Sequence, residues 1–303
     1  MNKIRNLISF CEENHLKYLE NEPLKKYTTF KIGGKVSCAV FPKGSAEIKI
    51  ISKFLNENNI KNIILGNGSN ILINDENIEG CAVILGKEMS KIKLISETEI
   101  YAQAGASLSA VCLFALEHSL TGLEFAYGIP GTVGGAVRMN AGAYGGEIKD
   151  VFSSCSYVSK NNDICTADIN KAKFSYRHSA FVNSGAIIAD CVFSLKKGEP
   201  SEIEGKMREL MQKRKTSQPL EYPNAGSTFK RPEGAFAGKL IEDCGLKGYC
   251  IGNACVSEKH AGFVVNKGNA SFNEVYDLIR YIQKTVKEKT GFVLETEVEI
   301  IKK

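Results

Sequence analysis

The amino-acid sequence predicts an α+β fold divided among more than one domain, and three observations carry that expectation. A chain of 303 residues is too long for one small core. Helix-spaced segments alternate with short apolar runs through the first two-thirds, a pattern that by itself leaves an α/β arrangement open there. The last third changes texture, to charged helical sequence interrupted by loops, so a domain boundary is placed near residue 200.

Taken in order, residues 47–59 carry Ile48, Ile51, Phe54 and Leu55 at helical spacing and lead into the short apolar run 63–65, a helix followed by a strand. Short strands are expected at 82–85, 100–104 and 186–195. Between them, residues 108–118 form a helix with Ser107 as its N-cap. After a charged helix over 202–215 and a loop over 219–223 comes the best-marked helix of the chain. Ser271 and Glu274 make a capping-box pattern there, and Val275, Leu278, Ile279, Ile282 and Val286 share one side. Gly291 ends that helix, and 292–301 is expected to be a closing strand.

A composition 43% hydrophobic and 24% charged is that of an ordinary soluble globular chain. No apolar run approaches the roughly 18 residues that span a bilayer, and the first residues lack a secretory pattern, so the expected location is the cytoplasm. The net charge of +5 is spread along the chain, which permits an anionic ligand and does not call for nucleic acid. Ten cysteines scattered from Cys11 to Cys255 are expected to be reduced thiols. The close pairs Cys244 with Cys250 and Cys250 with Cys255 lack the two-residue spacing of a zinc or redox motif, and no metal is expected.

The densest chemical signal lies over 122–146, where eight of twenty-five residues are glycine. Glycine at that density weakens regular structure, so tight turns or close approach of a ligand must compensate. Within it, Gly128-Ile129-Pro130-Gly131-Thr132-Val133-Gly134-Gly135-Ala136 would present backbone N–H groups with little side-chain bulk, which suits a diphosphate. A second loop, Gly66-Asn67-Gly68-Ser69-Asn70, leaves the strand at 63–65 and adds amide and hydroxyl donors. Neither loop fits the dinucleotide fingerprint or the P-loop.

These loops, with Thr28-Thr29-Phe30-Lys31-Ile32-Gly33-Gly34, resemble the FAD-binding half of the MurB reductases in order and spacing. Tyr176-Arg177-x-Ser179-x-Phe181, the run from Asn224 to Pro232, Ala237 to Glu242 and His260-Ala261-Gly262-Phe263 resemble the substrate half of the same family. The likeness covers nearly the whole chain. It implies a two-part FAD-binding region of the vanillyl-alcohol-oxidase-like type, 1–86 and 87–200, followed by a substrate domain, 201–303. It also implies the compact form of the family, without the extra loop that covers substrate in the longer form. Relatives usually carry arginine where Glu299 stands.

By the same resemblance the chain would bind FAD non-covalently and use NADPH to reduce UDP-N-acetylglucosamine enolpyruvate in peptidoglycan precursor synthesis; a monomer is the working expectation, and the sequence itself does not set the oligomeric state. The FAD contacts implied are Gly66, Asn67, Gly68, Ser69 and Asn70, then Gly128, Ile129, Pro130, Gly131, Gly134, Gly135 and Ala136, then Asn140, Ala141 and Gly142. Ser227 is implied as proton donor, with Arg177 and Glu297 beside the substrate carboxylate and the developing enolate. A guanidinium suits that place because its fork holds a carboxylate through two bonds. Glu297 would have to hold or share a proton to stabilise an enediolate. Lys213, Arg214, Gln218 and Lys230 are the candidates for the substrate's diphosphate. Two other readings remain open at this stage: a flavin oxidase using oxygen, and a nucleotide-binding module without catalysis.

Overall fold

A computed structural model describes residues 2–302, and it is α+β, with most of its strand pairs antiparallel. The chain divides into two compact units. The first comprises Met1–Glu22, Val36–Asn67 and Glu79–Gln212, and the second Pro23–Lys35, Gly68–Ile78 and Lys213–Lys303.

The first unit is built on two sheets. One has the strands Tyr18–Pro23, Lys35–Val40, Ile78–Ile84 and Asn62–Leu65 in that spatial order, with the last two parallel. Its parallel pair is joined to the helix Ser45–Glu57, whose Ile48, Ile51 and Leu55 are buried as their spacing predicts. The other is an antiparallel sheet in the order Ile164–Asp168, Phe152–Val158, Ile187–Ser194, Glu99–Gln103 and Ile92–Leu94. The helix Leu108–Glu117 starts where Ser107 accepts a hydrogen bond from the Ala110 N–H, the capping the sequence anticipates. A helix over Asn2–Glu13 was not foreseen; it buries Leu7 and Cys11.

The second unit has its own core, with Phe30, Leu72, Phe229, Ile241 and Val264 packed around the helix Phe272–Thr290. That helix has both halves of the expected capping box at Ser271 and Glu274, and Gly291 closes it with a φ of 78°. The expected strand over 292–301 is corrected to Glu299–Ile301, paired in parallel with Ile71–Ile73. The preceding residues pair elsewhere and only briefly: the Lys230 N–H donates to Glu295 O and the Glu297 N–H to Thr228 O around an isolated antiparallel bridge of Phe229 with Thr296, while Gln283 donates to Leu294 O and Asn70 to Glu297 O.

The expectation of reduced thiols is also corrected, because Cys250 and Cys255 form a disulfide. The strands Cys250–Ile251 and Ala254–Val256 pair through a two-residue turn, and their register sets the two cysteines opposite each other. Register, which spacing rules for metal or redox motifs do not capture, makes this pair. The other eight cysteines are free. Among the described residues no helix is long and apolar enough to cross a membrane.

Candidate functional site

In the first unit the two glycine loops meet. The Asn67 side-chain amide donates to Pro130 O at 2.6 Å. A Cβ on Gly66 would stand 2.2 Å from Thr132 Oγ1, so only glycine fits against that threonine. Gly134 is held just as closely, its N–H bonded to Ala104 O at 2.9 Å and a Cβ there 2.9 Å from the Ala104 methyl. These contacts bring together Gly66, Asn67, Pro130 and the start of the helix Val133–Met139.

The cradle is narrower than glycine density suggested. Gly128 donates to Ser109 Oγ, Ile129 to Ala126 O, Val133 to Ala106 O, Gly134 to Ala104 O and Ala136 to Thr132 O. Pro130 has no N–H. The N–H groups of Gly131, Thr132 and Gly135 remain, and among the described residues they meet no acceptor within the chain. The same holds for the N–H groups of Gly66, Asn67, Gly68, Ser69 and Asn70. Backbone donors left over at a glycine loop and at a helix start are the donor set an anionic phosphate requires. A diphosphate-bearing cofactor therefore fits the residues present.

Asn140 does something other than its sequence position suggested. Fully buried and left-handed at φ 44°, it caps the helix Val133–Met139. Its side-chain amide donates to Glu147 Oε2 and to Ser175 O, both at 3.0 Å, while its Oδ1 accepts from the Lys149 N–H at 3.0 Å. With the side chain engaged and its N–H bonded to Val137 O at 3.2 Å, its carbonyl is what it has to offer a ligand. Ala141 is tied back by its N–H to Ala136 O. The carbonyl of Gly142 accepts from Arg177 Nη2 at 2.9 Å.

Arg177 is half-buried and left-handed at φ 52°, at the tip of a turn in which Ser175 and His178 exchange backbone hydrogen bonds. Ser179, fully buried, anchors the base of the turn by donating to Arg138 O at 2.7 Å. The guanidinium lies 5.3 Å from the centre of the Tyr176 ring. Nearby, Glu147 is held below the ordinary carboxylate range, chiefly by the hydrogen bond to Lys149, and also by Asn140 and the charge of Arg177. Arg177 is thus aimed by its turn, with cation and carboxylate organised around Gly142.

In the second unit, Ser227 sits half-buried on a turn whose neighbours are all tied down. Asn224 Oδ1 accepts from the Gly226 N–H at 2.9 Å, and its amide donates to Tyr222 O and Pro219 O. Thr228 donates its N–H to Gly262 O at 2.8 Å and accepts from the Glu297 N–H at 2.9 Å. Glu297 is therefore in register with the residue after Ser227, and Asn70 Nδ2 holds its carbonyl at 3.0 Å. Of the three alternating glutamates, Glu295 and Glu299 are exposed and Glu297 is half-buried, which separates it from a solvated acidic edge. The Ser227 hydroxyl takes no hydrogen bond within the chain among the described residues.

His260 belongs to the support of that turn. Burial lowers the basicity of its imidazole, and the Gly262 N–H donates to Nδ1 at 3.1 Å, so the neutral ring carries its proton on Nε2. Among the candidates for a diphosphate, Arg214 is buried and its Nη1 donates to Gln218 Oε1 at 3.0 Å, a joint arrangement. Lys213 is exposed, and Lys230 is paired with Glu295 at 3.2 Å. Sequence reasoning assigned no role to Thr132 or Asn224. The Asn-x-Gly spacing of Asn224 and Gly226 is the signal that finds the second, since an asparagine side chain closes a turn onto the N–H two residues on.

Residues 36–168 match the family described as FAD binding domain, and residues 218–301 match that described as UDP-N-acetylenolpyruvoylglucosamine reductase, C-terminal domain. The UDP-N-acetylenolpyruvoylglucosamine reductase of Caldanaerobacter subterraneus subsp. tengcongensis is 50% identical over 281 residues, covering 93% of this chain and 92% of that one. The reductase of the same name from Clostridium novyi is 46% identical over 297 residues, covering 98% and 95%. The crystal structure of UDP-N-acetylenolpyruvylglucosamine reductase (MurB) from Thermus caldophilus is similar with a TM-score of 0.80 at 32% identity, over 95% of this chain and 99% of that one.

Proposed function

This chain belongs to the UDP-N-acetylenolpyruvoylglucosamine reductase family, and from that premise we propose how its residues divide the reaction. It is an FAD-containing oxidoreductase that reduces UDP-N-acetylglucosamine enolpyruvate to UDP-N-acetylmuramate with NADPH, in peptidoglycan precursor synthesis. FAD, when bound, supplies hydride transfer between NADPH and the enolpyruvyl double bond. Its pyrophosphate is assigned to the N–H groups of Gly131, Thr132 and Gly135 and to those of residues 66–70. The single chain, working in the cytoplasm, is taken as the active unit.

The protein's own share is charge control and proton delivery. Hydride addition leaves negative charge on the enolate and its carboxylate, which Arg177 is proposed to balance, with Glu297 hydrogen bonding to the same developing charge. Ser227 then gives its proton to the carbon bearing the carboxylate. A hydroxyl is a weak acid, and only a strong base such as an enolate draws a proton from it. Arg214 with Gln218, and Lys213 and Lys230 more peripherally, are proposed to meet the substrate's diphosphate.

The observation that carries this reading is the contrast over residues 224–229, where the backbone is bonded at Gly226 and Thr228 while, among the described residues, the Ser227 hydroxyl takes no hydrogen bond within the chain. A hydroxyl held on a fixed turn and left unengaged is available to a substrate. The test is an anaerobic pair of reactions: NADPH should bleach the bound flavin, and the enolpyruvyl substrate should restore its colour. Reoxidation by oxygen alone at turnover rates, or no recolouring by the substrate, contradicts the reading.

A further inference from the structure

The motif Thr28 to Gly34 has no role in the reaction as described so far, yet it holds the serine turn. We infer that Thr29 is a positioning residue for proton transfer, its hydroxyl fixing the turn that presents Ser227 through the carbonyl of Asn224. The inference rests on the reading of Ser227 as the proton donor.

Thr29 is rigidly mounted within the second unit. Thr28 Oγ1 donates to Ile32 O at 3.0 Å, and Lys31 turns the chain with a φ of 60°. Phe30, buried in the core, accepts from Asn266 Nδ2 at 3.0 Å. From that mount Thr29 directs two donors to two places. Its N–H goes to Gly68 O at 3.2 Å. Its hydroxyl stands 2.6 Å from Asn224 O and 3.4 Å from Gly68 O. A hydroxyl has one proton, and the shorter contact takes it.

Asn224 is the start of the serine turn, and its side chain is already engaged with Pro219, Tyr222 and Gly226. Between Asn224 and Ser227 lies Gly226, left-handed at φ 73° with open space around it, the point at which this turn can swing. Beyond Ser227 the Thr228 N–H is pinned to Gly262 O. The Thr29 hydroxyl therefore fixes the near side of the glycine, and Gly262 fixes the far side. Proton transfer requires the donor within about 2.6–3.2 Å of its target, and a displacement of about 1 Å can lower the rate by ~10²-fold. Release of the Thr29 contact, with the side-chain bonds of Asn224, the bond from the Asn266 N–H to Pro223 O and the Gly262 anchor kept, should slow proton transfer by roughly tenfold.

Thr29→Val separates the two donors, because it keeps the shape and the N–H bond to Gly68 and removes the hydroxyl alone. In the holoenzyme, flavin content and the rate of flavin reduction by NADPH should stay within about twofold of wild type, while reoxidation by the enolpyruvyl substrate slows roughly tenfold. Thr29→Ser should restore reoxidation to within about threefold of wild type. In the Ser227→Ala background, Thr29→Val should add less than about twofold, since the group being positioned is gone. Wild-type reoxidation in Thr29→Val beside slow reoxidation in Ser227→Ala overturns the inference and leaves the role of Ser227 standing. Near-wild-type reoxidation in Ser227→Ala overturns both. Equal slowing of both half-reactions, or failure of Thr29→Ser to recover, marks a merely structural threonine and overturns the inference. Where Thr29→Val does not fold, the same readings are taken on Thr29→Ala.

Discussion

Alanine at Gly66 tests the cofactor cradle through one contact. The new methyl would stand 2.2 Å from Thr132 Oγ1 and 3.3 Å from both Thr132 Cβ and Cγ2. Thr132 cannot retreat freely, because it is buried and its neighbours are bonded, Gly131 O to the Leu108 N–H at 3.1 Å and the Val133 N–H to Ala106 O at 2.9 Å. Forcing a methyl into such a place costs about 1–3 kcal/mol. Since the Gly131 and Thr132 N–H groups are the proposed donors to the pyrophosphate, much of that should appear as weaker binding, about 5- to 150-fold at ~1.4 kcal/mol per factor of ten. The assay is titration of apoprotein with FAD by flavin fluorescence, with thermal unfolding alongside. Thr132→Ala in the same chain should recover part of the affinity, because it removes the atom that clashes. A Gly66→Ala protein with wild-type FAD affinity and stability refutes the reasoning.

Three further perturbations address other parts of the site. Arg177→Ala and Glu297→Ala should each slow the flavin-to-substrate step more than the NADPH-to-flavin step, as the charge they balance exists only on the enolate; stopped-flow rates showing equal loss in both contradict their roles. Asn140→Ala should destabilise the fold by about 2–3 kcal/mol, because it removes three hydrogen bonds made by a fully buried side chain, to Glu147, Ser175 and Lys149, and an unchanged Tm argues against it. Lys149, with Asn140 and Arg177, depresses Glu147 below the ordinary carboxylate value of 4.5. The stability it contributes is present above that value and is lost as pH falls through the depressed one. Glu147→Gln should therefore lower Tm modestly at neutral pH, where the ionised carboxylate contributes, and flatten the fall of Tm with acid below pH 4.5; an unaltered acid limb sinks that account.

Local signals in the sequence located the helices well where capping and burial pattern agree. Ser107, the Ser271 and Glu274 pair and Gly291 each mark a boundary by chemistry confined to a few residues, and the structure keeps them. The helix Asn2–Glu13 went unread although Ile4, Leu7, Ile8 and Cys11 have the helical spacing. What escaped entirely depends on partners far along the chain. The closing segment has strand composition, but it splits its pairing between an isolated bridge of Thr296 with Phe229 and the parallel strand Glu299–Ile301, with Asn70 and Gln283 side chains bonding the carbonyls of Glu297 and Leu294. Cys250 and Cys255 join because a hairpin register sets them opposite. Glycine density pointed to the loops proposed to hold a phosphate, yet which N–H groups are left over there is decided by Ala104, Ala106 and Ser109. Asn140 and Thr29 act through bonds to residues tens of positions away or more, which no local motif encodes.

The most direct test of the account is the rate at which substrate reoxidises the reduced flavin of Ser227→Ala, measured by stopped-flow absorbance beside its reduction by NADPH. Flavin reduction should proceed at the wild-type rate, since the serine hydroxyl takes no part in it. Reoxidation should fall by about 10²–10⁴-fold, the range of a general acid's contribution. Ser227→Cys should recover part of the loss, because a thiol donates a proton from nearly the same position. A fall of less than about tenfold, some 1.4 kcal/mol of barrier, would contradict the assignment of Ser227 as the proton donor.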